Sequence, residues 1–294
     1  EELGDALRGA ETFLAGDSLH CAAVLAYGGP LTAEYREVLQ NNTPSAMQEL
    51  EVLYNTESLN IQNTLCEPAT IIEWHACGLT RDSFSVENAV ILHNSHRWPL
   101  MLDPQKQAVV FIRGLKDGST NGTRGWSDLQ VLRQSDPSLL TTLAVAVELG
   151  KGVLVEQVAG SGVAGLGPVL DSLLDHRRGN GVAGSEIRIG EKKVSWNPNF
   201  RLLMATMEMS IDLPPEIFAK ITVLNFRITQ KGIEDQMLTL VTSQENAALD
   251  RRTNELASLS AQLHRELVDT EDMILEMLSS SAGGILEDES LGGT

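Results

Sequence analysis

Positive charge is scarce in this chain. Forty Asp and Glu residues stand against 22 Lys and Arg, giving a net charge of −18 over 294 residues. Phosphate backbones are gripped by Lys and Arg, so such a chain is a poor binder of nucleic acid. It is equally ill-matched to anionic membrane surfaces. Long apolar runs are also missing, and no stretch nears the roughly 20 residues that a membrane span requires. No basic segment followed by an apolar one opens the chain, so no signal peptide is read. Glu1 stands first where an initiator Met is absent, and the chain reads as an excerpt of a longer one. Cysteine is limited to Cys21, Cys66 and Cys77. An odd number without paired spacing argues against a disulfide framework and a zinc site, and fits a reducing compartment. His93 and His96 have no Cys or carboxylate cluster around them and read as polar side chains flanking a strand end, not as metal ligands. Aromatic residues make up only 4%, so aliphatic side chains must fill the core. What is present is globular in composition, 42% hydrophobic and 21% charged. The length allows one large domain with an appendage, or two domains.

Residues 1–13 are charged and helical in pattern, and DSLHCAAVLAYGG from Asp17 continues in helix formers. Gly28, Gly29 and Pro30 end that helix. Thr32 opens a second one, TAEYREVLQ, with Tyr35 and Leu39 on one face, which 41–44 should break at Pro44. Residues 45–73 read as a short helix and an irregular linker. From about Cys77 short apolar runs alternate with helical stretches. The strand candidates are 89–93, 98–102, 129–132, 152–158, 186–190, 192–197, 200–206 and 222–228. The helix candidates are 107–115, 137–150, 168–176 and 214–221. Such alternation with unbroken apolar strands predicts an α/β fold, a parallel sheet covered by helices on both faces. The pair 186–197, joined through Gly190 and Glu191, predicts an inserted β-hairpin. From Ile233 the pattern is helical as far as 281. Leu249, Leu256, Leu259, Leu263, Leu267, Ile274 and Leu278 recur at coiled-coil spacing. At about 1.5 Å per residue that helix spans roughly 65 Å, so it projects from the domain or folds back as a hairpin around 253–262.

Four segments could carry chemistry. The strand WPLML followed by Asp103, Pro104, Gln105, Lys106, Gln107 and a helix is the scaffold of a phosphate-binding loop. Such a loop needs glycines for backbone approach, then Lys and Ser or Thr. Here glycine is absent, Asp103 puts negative charge where phosphate would sit, Gln107 replaces the magnesium-binding hydroxyl, and Lys106 is the one remnant. The strand VLVEQV ends in Glu156 followed by Gln157, one acid where a phosphate-loop ATPase keeps two. Thr206, ending FRLLMAT, stands where such enzymes sense a γ-phosphate. Finally, Gly160, Gly162 and Gly165 match G-x-G-x-x-G in a glycine run reaching Gly167, with Glu186 about 20 residues on. That run follows a third or fourth strand where the dinucleotide motif follows the first, and the chain then opens a hairpin. A plain glycine-rich loop is the preferred reading.

The segments GLTRDSFSVENAVILHNSHRWPLMLDPQKQA (78–108), QSDPSLLTTLAVAVELGKGVLVEQV (134–158), WNPNFRLLMAT (196–206), KITVLNFRITQKGIEDQML (220–238) and ILEMLSSSAGGILEDESL (274–291) resemble dynein heavy chains, and among their modules the fifth AAA+ unit of the motor ring. Upstream, GDSLHCAAVLAYGGPLTAEYREVL (16–39) resembles the segment joining the returning stalk helix to that unit. Residues 40–72 and 159–185 match poorly, and 118–126 look like a local surface insertion. The wording WPLMLDPQ is nearest the axonemal branch. The resemblance implies a part of an ATP-dependent, minus-end-directed microtubule motor whose main hydrolysis occurs in the first module. It implies no cofactor in this module, with ATP and magnesium held in others. It implies neighbouring AAA+ modules and the stalk coiled coil as partners. Microtubules and dynein intermediate and light chains would be met through the parent. The expected place is the cytoskeleton of a cilium or flagellum, with cytoplasm as the alternative.

On this reading residues 1–40 are stalk-base and linking helices, and 41–76 a linker. Residues 77–232 form the large α/β domain with a degenerate nucleotide site, 233–281 the buttress helix of the small domain, and 282–294 a tail. The expected role is mechanical: a module that relays ring changes to the stalk and does not itself hydrolyse ATP. Two other roles remain open. One is a regulatory ATP- or ADP-binding module using Lys106, Glu156 and Thr206. The other is a dinucleotide-dependent oxidoreductase using the 160–167 loop. A coiled-coil adaptor without nucleotide history conflicts with the sheet pattern.

Overall fold

The computed structural model describes residues 2–55, 59–118, 128–158, 173–175, 184–209 and 213–245, together with scattered positions between 252 and 277. Helices α1 (Glu2–Tyr27), α2 (Ala33–Glu49), α3 (Ile61–Leu65), α4 (Pro68–Ala76) and α5 (Ser83–Asn94) precede the first strand, β1 (Trp98–Leu102). Then come α6 (Gln107–Gly118), β2 (Gln130–Arg133), α7 (Leu139–Leu149) and β3 (Gly152–Glu156). The hairpin strands β4 (Glu186–Ile189) and β5 (Lys192–Ser195) follow. The described core ends with β6 (Arg201–Thr206), α8 (Pro215–Phe218), β7 (Ile221–Asn225) and α9 (Gln230–Glu245).

Five strands form one parallel sheet in the order β2-β3-β6-β1-β7. Alternate side chains of each strand leave on opposite faces. Trp98, Leu100, Val153, Val155, Leu202 and Met204 enter one core with α7 and the hairpin. Met101, Leu154, Leu203, Ala205 and Leu224 enter the other with α4, α5 and α6. Both faces are therefore buried, which is why these strands read as unbroken apolar runs. The hairpin pairs antiparallel across a turn in which Gly190 takes φ +62°, as expected from its Gly-Glu turn.

Three expectations are corrected. The run AVILH (89–93) is helix, not strand. Asp82 caps α5 by accepting from Ser85 N at 3.1 Å, and every residue from Phe84 to Leu92 is buried. A helix buried all round has no polar face to reveal its period, so its apolar run mimics a strand. His93 accordingly ends a helix, packed on Trp74 at 6.0 Å. Second, α2 does not break at 41–44 but runs through Pro44 to Glu49. Thr43 Oγ1 donates to Leu39 O at 2.8 Å, and Met47 is buried beyond the proline and holds the last turns down. The face that α2 buries carries Arg36 and Met47, while Tyr35 is 66% exposed. Third, the stretch read as irregular linker contains α3 and α4, whose Ile61, Ala69 and Trp74 are buried. Helix α6 approaches the end of α4 so closely that a Cβ on Gly114 would lie 2.1 Å from Cys77 O.

Candidate helix 168–176 falls mostly outside the described residues, as do the glycine run 160–167 and the surface segment 119–127. Leu249 and Leu278 of the heptad pattern also lie outside them. Leu256, Leu259, Leu263, Leu267 and Ile274 are helical and 44% to 59% exposed. Among the described residues no helix is long and apolar enough to cross a membrane.

Candidate functional site

In a parallel sheet the ligand crevice lies beyond the carboxyl ends of the strands. Here that end carries Asp103 just after β1, Glu156 ending β3 with Gln157 after it, and Thr206 ending β6 with Met207 after it. They meet with Lys106 around a cavity of about 10 Å³. That is about the room of one water, far less than a triphosphate needs.

The cavity is small because the chain fills it. Asp103 is 1% exposed. One of its carboxylate oxygens accepts from Gln107 N at 2.7 Å and the other from Val109 N at 3.0 Å. The first amides of a helix have no partner within it and carry partial positive charge, so they form a ready anion seat. In this chain the seat is taken by its own side chain. Burial pushes the Asp103 carboxyl above its ordinary 3.8, while the amides of Val109, Gln107, Ala108 and Lys106 pull it down. Asp103 N also donates to Thr206 O at 2.8 Å, which locks the turn to β6.

The other predicted residues are engaged as well. Gln105 Oε1 accepts from Ile228 N at 3.1 Å, tying the turn to the segment after β7. Gln107 contributes its backbone amide to Asp103. Glu156 pairs with Arg113 of α6, Oε1 to Nη2, at 2.5 Å. Thr206 is 1% exposed, and its Oγ1 accepts from Glu208 N at 3.1 Å. Of the turn residues, Asp103 and Lys106 line the cavity, and Pro104, Gln105 and Gln107 do not. Two non-glycine residues here, Lys106 and Gln157, hold left-handed backbone at φ +61° and +58°. Such residues are sparse and cost about 1 kcal/mol each.

Sequence reasoning missed Arg113. It sits two turns into an amphipathic helix, and its spacing from Glu156 is set by the sheet. The turn also borders a second cavity, about 340 Å³, lined by Gly78, Gln105, Lys106, Gln107, Val110, Ile228, Ile233 and Gln236. Lys106 reaches both cavities. Among the described residues no carboxylate lines the larger one.

Comparison with known proteins decides the family. The model of the ATP-binding dynein motor region matches residues 72–294. The chain belongs to the dynein motor family. It is 35% identical over 277 residues to dynein axonemal heavy chain 3 of Mus musculus, covering 94% of this chain. It is 35% identical over 283 residues to the ciliary dynein beta chain of Tripneustes gratilla, covering 96%. It is 32% identical over 285 residues to the flagellar outer arm dynein alpha chain of Chlamydomonas reinhardtii, covering 97%. The chain spans only 6% of the length of each of these relatives. The parallel sheet with flanking helices is what a dynein AAA+ module has. The dinucleotide-oxidoreductase reading finds no support in these matches. Glu186, its supposed ribose ligand, stands on the separate hairpin and pairs with Lys193 at 3.2 Å.

Proposed function

We propose that this chain is a mechanical AAA+ module of a dynein heavy chain, the fifth of the ring, and that it relays ring changes to the microtubule-binding stalk without turning over ATP. The observation that carries the reading is Asp103, whose carboxylate sits on the α6 amides that a phosphate would need. A loop that supplies its own anion does not depend on nucleotide for its shape. Glu156, held by Arg113, is likewise committed to the fold. The exposed apolar positions at 256, 259, 263, 267 and 274 support the reading of a projecting arm. The names of the relatives support a place in the axoneme of a cilium or flagellum. The proposed partners are the neighbouring modules and the stalk, with microtubules and dynein intermediate and light chains reached through the parent.

A second reading, a regulatory ATP or ADP site, draws on the cavity of about 340 Å³ beside Lys106. Among the described residues around that cavity there is no metal-holding acid, and the α6 amides are taken by Asp103.

The mechanical reading is tested by excising 245–270 from the full-length heavy chain. The expected result is retained ATP turnover with microtubule affinity that no longer responds to ATP. Affinity that still responds fully would sink the reading.

A further inference from the structure

Arg36 is a buried cation outside the cavity around Asp103. It lies on α2 and is 1% exposed. Each nitrogen of its guanidinium has an acceptor. Nε donates to Gly28 O at 3.0 Å. Nη1 donates to Phe84 O at 3.4 Å and Glu87 Oε2 at 3.2 Å. Nη2 donates to Gly29 O at 3.5 Å and Asn88 Oδ1 at 2.7 Å. The guanidinium also lies 4.2 Å from the centre of the Phe84 ring. Only Arg, with five donors in a rigid fork, can hold so many acceptors at once.

The network closes on itself through the sheet. Asn88 Nδ2 donates to Asn225 O at 2.8 Å, and Asn225 N donates to Gly29 O at 2.9 Å. The turn after α1 is thereby bonded to the edge strand β7. It also touches that strand, since a Cβ on Gly29 would lie 2.3 Å from Val223 O. A second attachment lies further up α1. Asp17 Oδ1 accepts from Asn55 N at 2.9 Å, and a Cβ on Gly16 would lie 2.3 Å from Leu53 O. This attachment, about 18 Å along α1 from the first, holds the helix to the segment between α2 and α3.

Replacing a buried ion pair by apolar residues of similar volume is often neutral for stability, so stability alone gives little reason for this one. Geometry gives a better reason. Gly28 and Gly29 are the residues where backbone freedom would let α1 swing. We propose that Arg36 is the positioning residue of a rigid splice, which bonds the Gly28–Gly29 turn to α5 and β7 and makes α1 turn with the central sheet instead of hinging against it. The splice deepens the mechanical reading and rests on it, because a relay to the stalk requires a stiff connection at this joint.

The test uses R36M/E87L, which removes both charges together and leaves no unpaired ion. Cooperative unfolding is expected to persist. Hydrogen exchange in the last turns of α1 and the first turns of α2 is expected to quicken by about ten-fold or more relative to β1 and β6. In the full-length heavy chain the same variant should keep ATP turnover while the ATP-driven change in microtubule affinity shrinks several-fold. Helices α1 and α2 that still exchange in step with the sheet would overturn the splice. Should R36M/E87L not fold, N88A cuts the link from Arg36 to Asn225 with the ion pair kept, and the same exchange pattern decides. The excision of 245–270 judges the mechanical reading separately, so a failed splice with a coupled excision phenotype leaves that reading standing.

Discussion

Asp103→Ala is expected to cost the chain about 2 kcal/mol of stability and to open it to inorganic anions. The loss follows from burial: Asp103 is 1% exposed, and its removal strands the amides of Gln107 and Val109 away from water. The gain follows from the same amides, which then face an empty seat at a helix N-terminus. Millimolar phosphate or pyrophosphate should raise the melting temperature of D103A and leave that of the wild type unchanged. A response in the wild type, or none in the variant, would mean that Asp103 does not stand in for the phosphate. The pH dependence has a definite sign. Burial raises the Asp103 carboxyl above 3.8 in the folded chain. A raised folded-state value gives a contribution that is complete below the unfolded value and is lost as pH rises through the folded one. The stability of the wild type relative to D103N should therefore decline as pH climbs from the ordinary carboxylate range toward neutrality. Urea unfolding over that range reads the slope.

Trp98→Ala should be the most damaging single truncation, at about 3–5 kcal/mol. Domains of this kind hold only about 5–15 kcal/mol in all, so the variant is expected near the edge of unfolding. Trp98 is 1% exposed at the start of β1, an interior strand between β6 and β7. Its indole Nε1 donates to Leu173 O at 3.0 Å. Its ring meets Phe200 edge-on at 5.8 Å and Trp196 at 6.4 Å, and those two meet each other at 5.8 Å. With so few aromatic residues in the chain, three of them gather under the strand that sets the height of the Asp103 turn. Trp98→Phe keeps an aromatic ring beside Phe200 and Trp196 but loses the hydrogen bond and part of the indole's bulk, so a smaller loss of about 1–3 kcal/mol is expected. Urea midpoints of the two variants check that order.

The parts of this fold that were legible in the sequence are those where local chemistry and tertiary surroundings agree. The run WPLML before Asp103 and Pro104 announced a strand and a turn. The Gly190 turn announced its hairpin. Residues 89–93 misled because a helix buried on every side, as α5 is from Phe84 to Leu92, carries no periodic signal. Pro44 misled because tertiary burial of Met47 outweighs the missing amide bond. At the site, Asp103 was recognised as a charge in the way, but its capping geometry depends on the positions of the α6 amides, which no spacing rule supplies. Arg113 and Glu156 are 43 residues apart in the chain, and only the parallel sheet brings them together. Arg36 was hidden for a related reason. A lone Arg in the pattern TAEYREVLQ shows no partner until α5 and the Gly28–Gly29 turn are packed against it.

The central claim is that this module keeps its shape without nucleotide. Titrating the chain with fluorescent ATP, ADP and NADH analogues in the presence of magnesium tests it most directly. The account predicts a cooperative melt and no saturable binding of any of them below about 1 mM. Micromolar binding of ATP or ADP, lost on Lys106→Ala, would contradict it and make the cavity beside Lys106 a working nucleotide site.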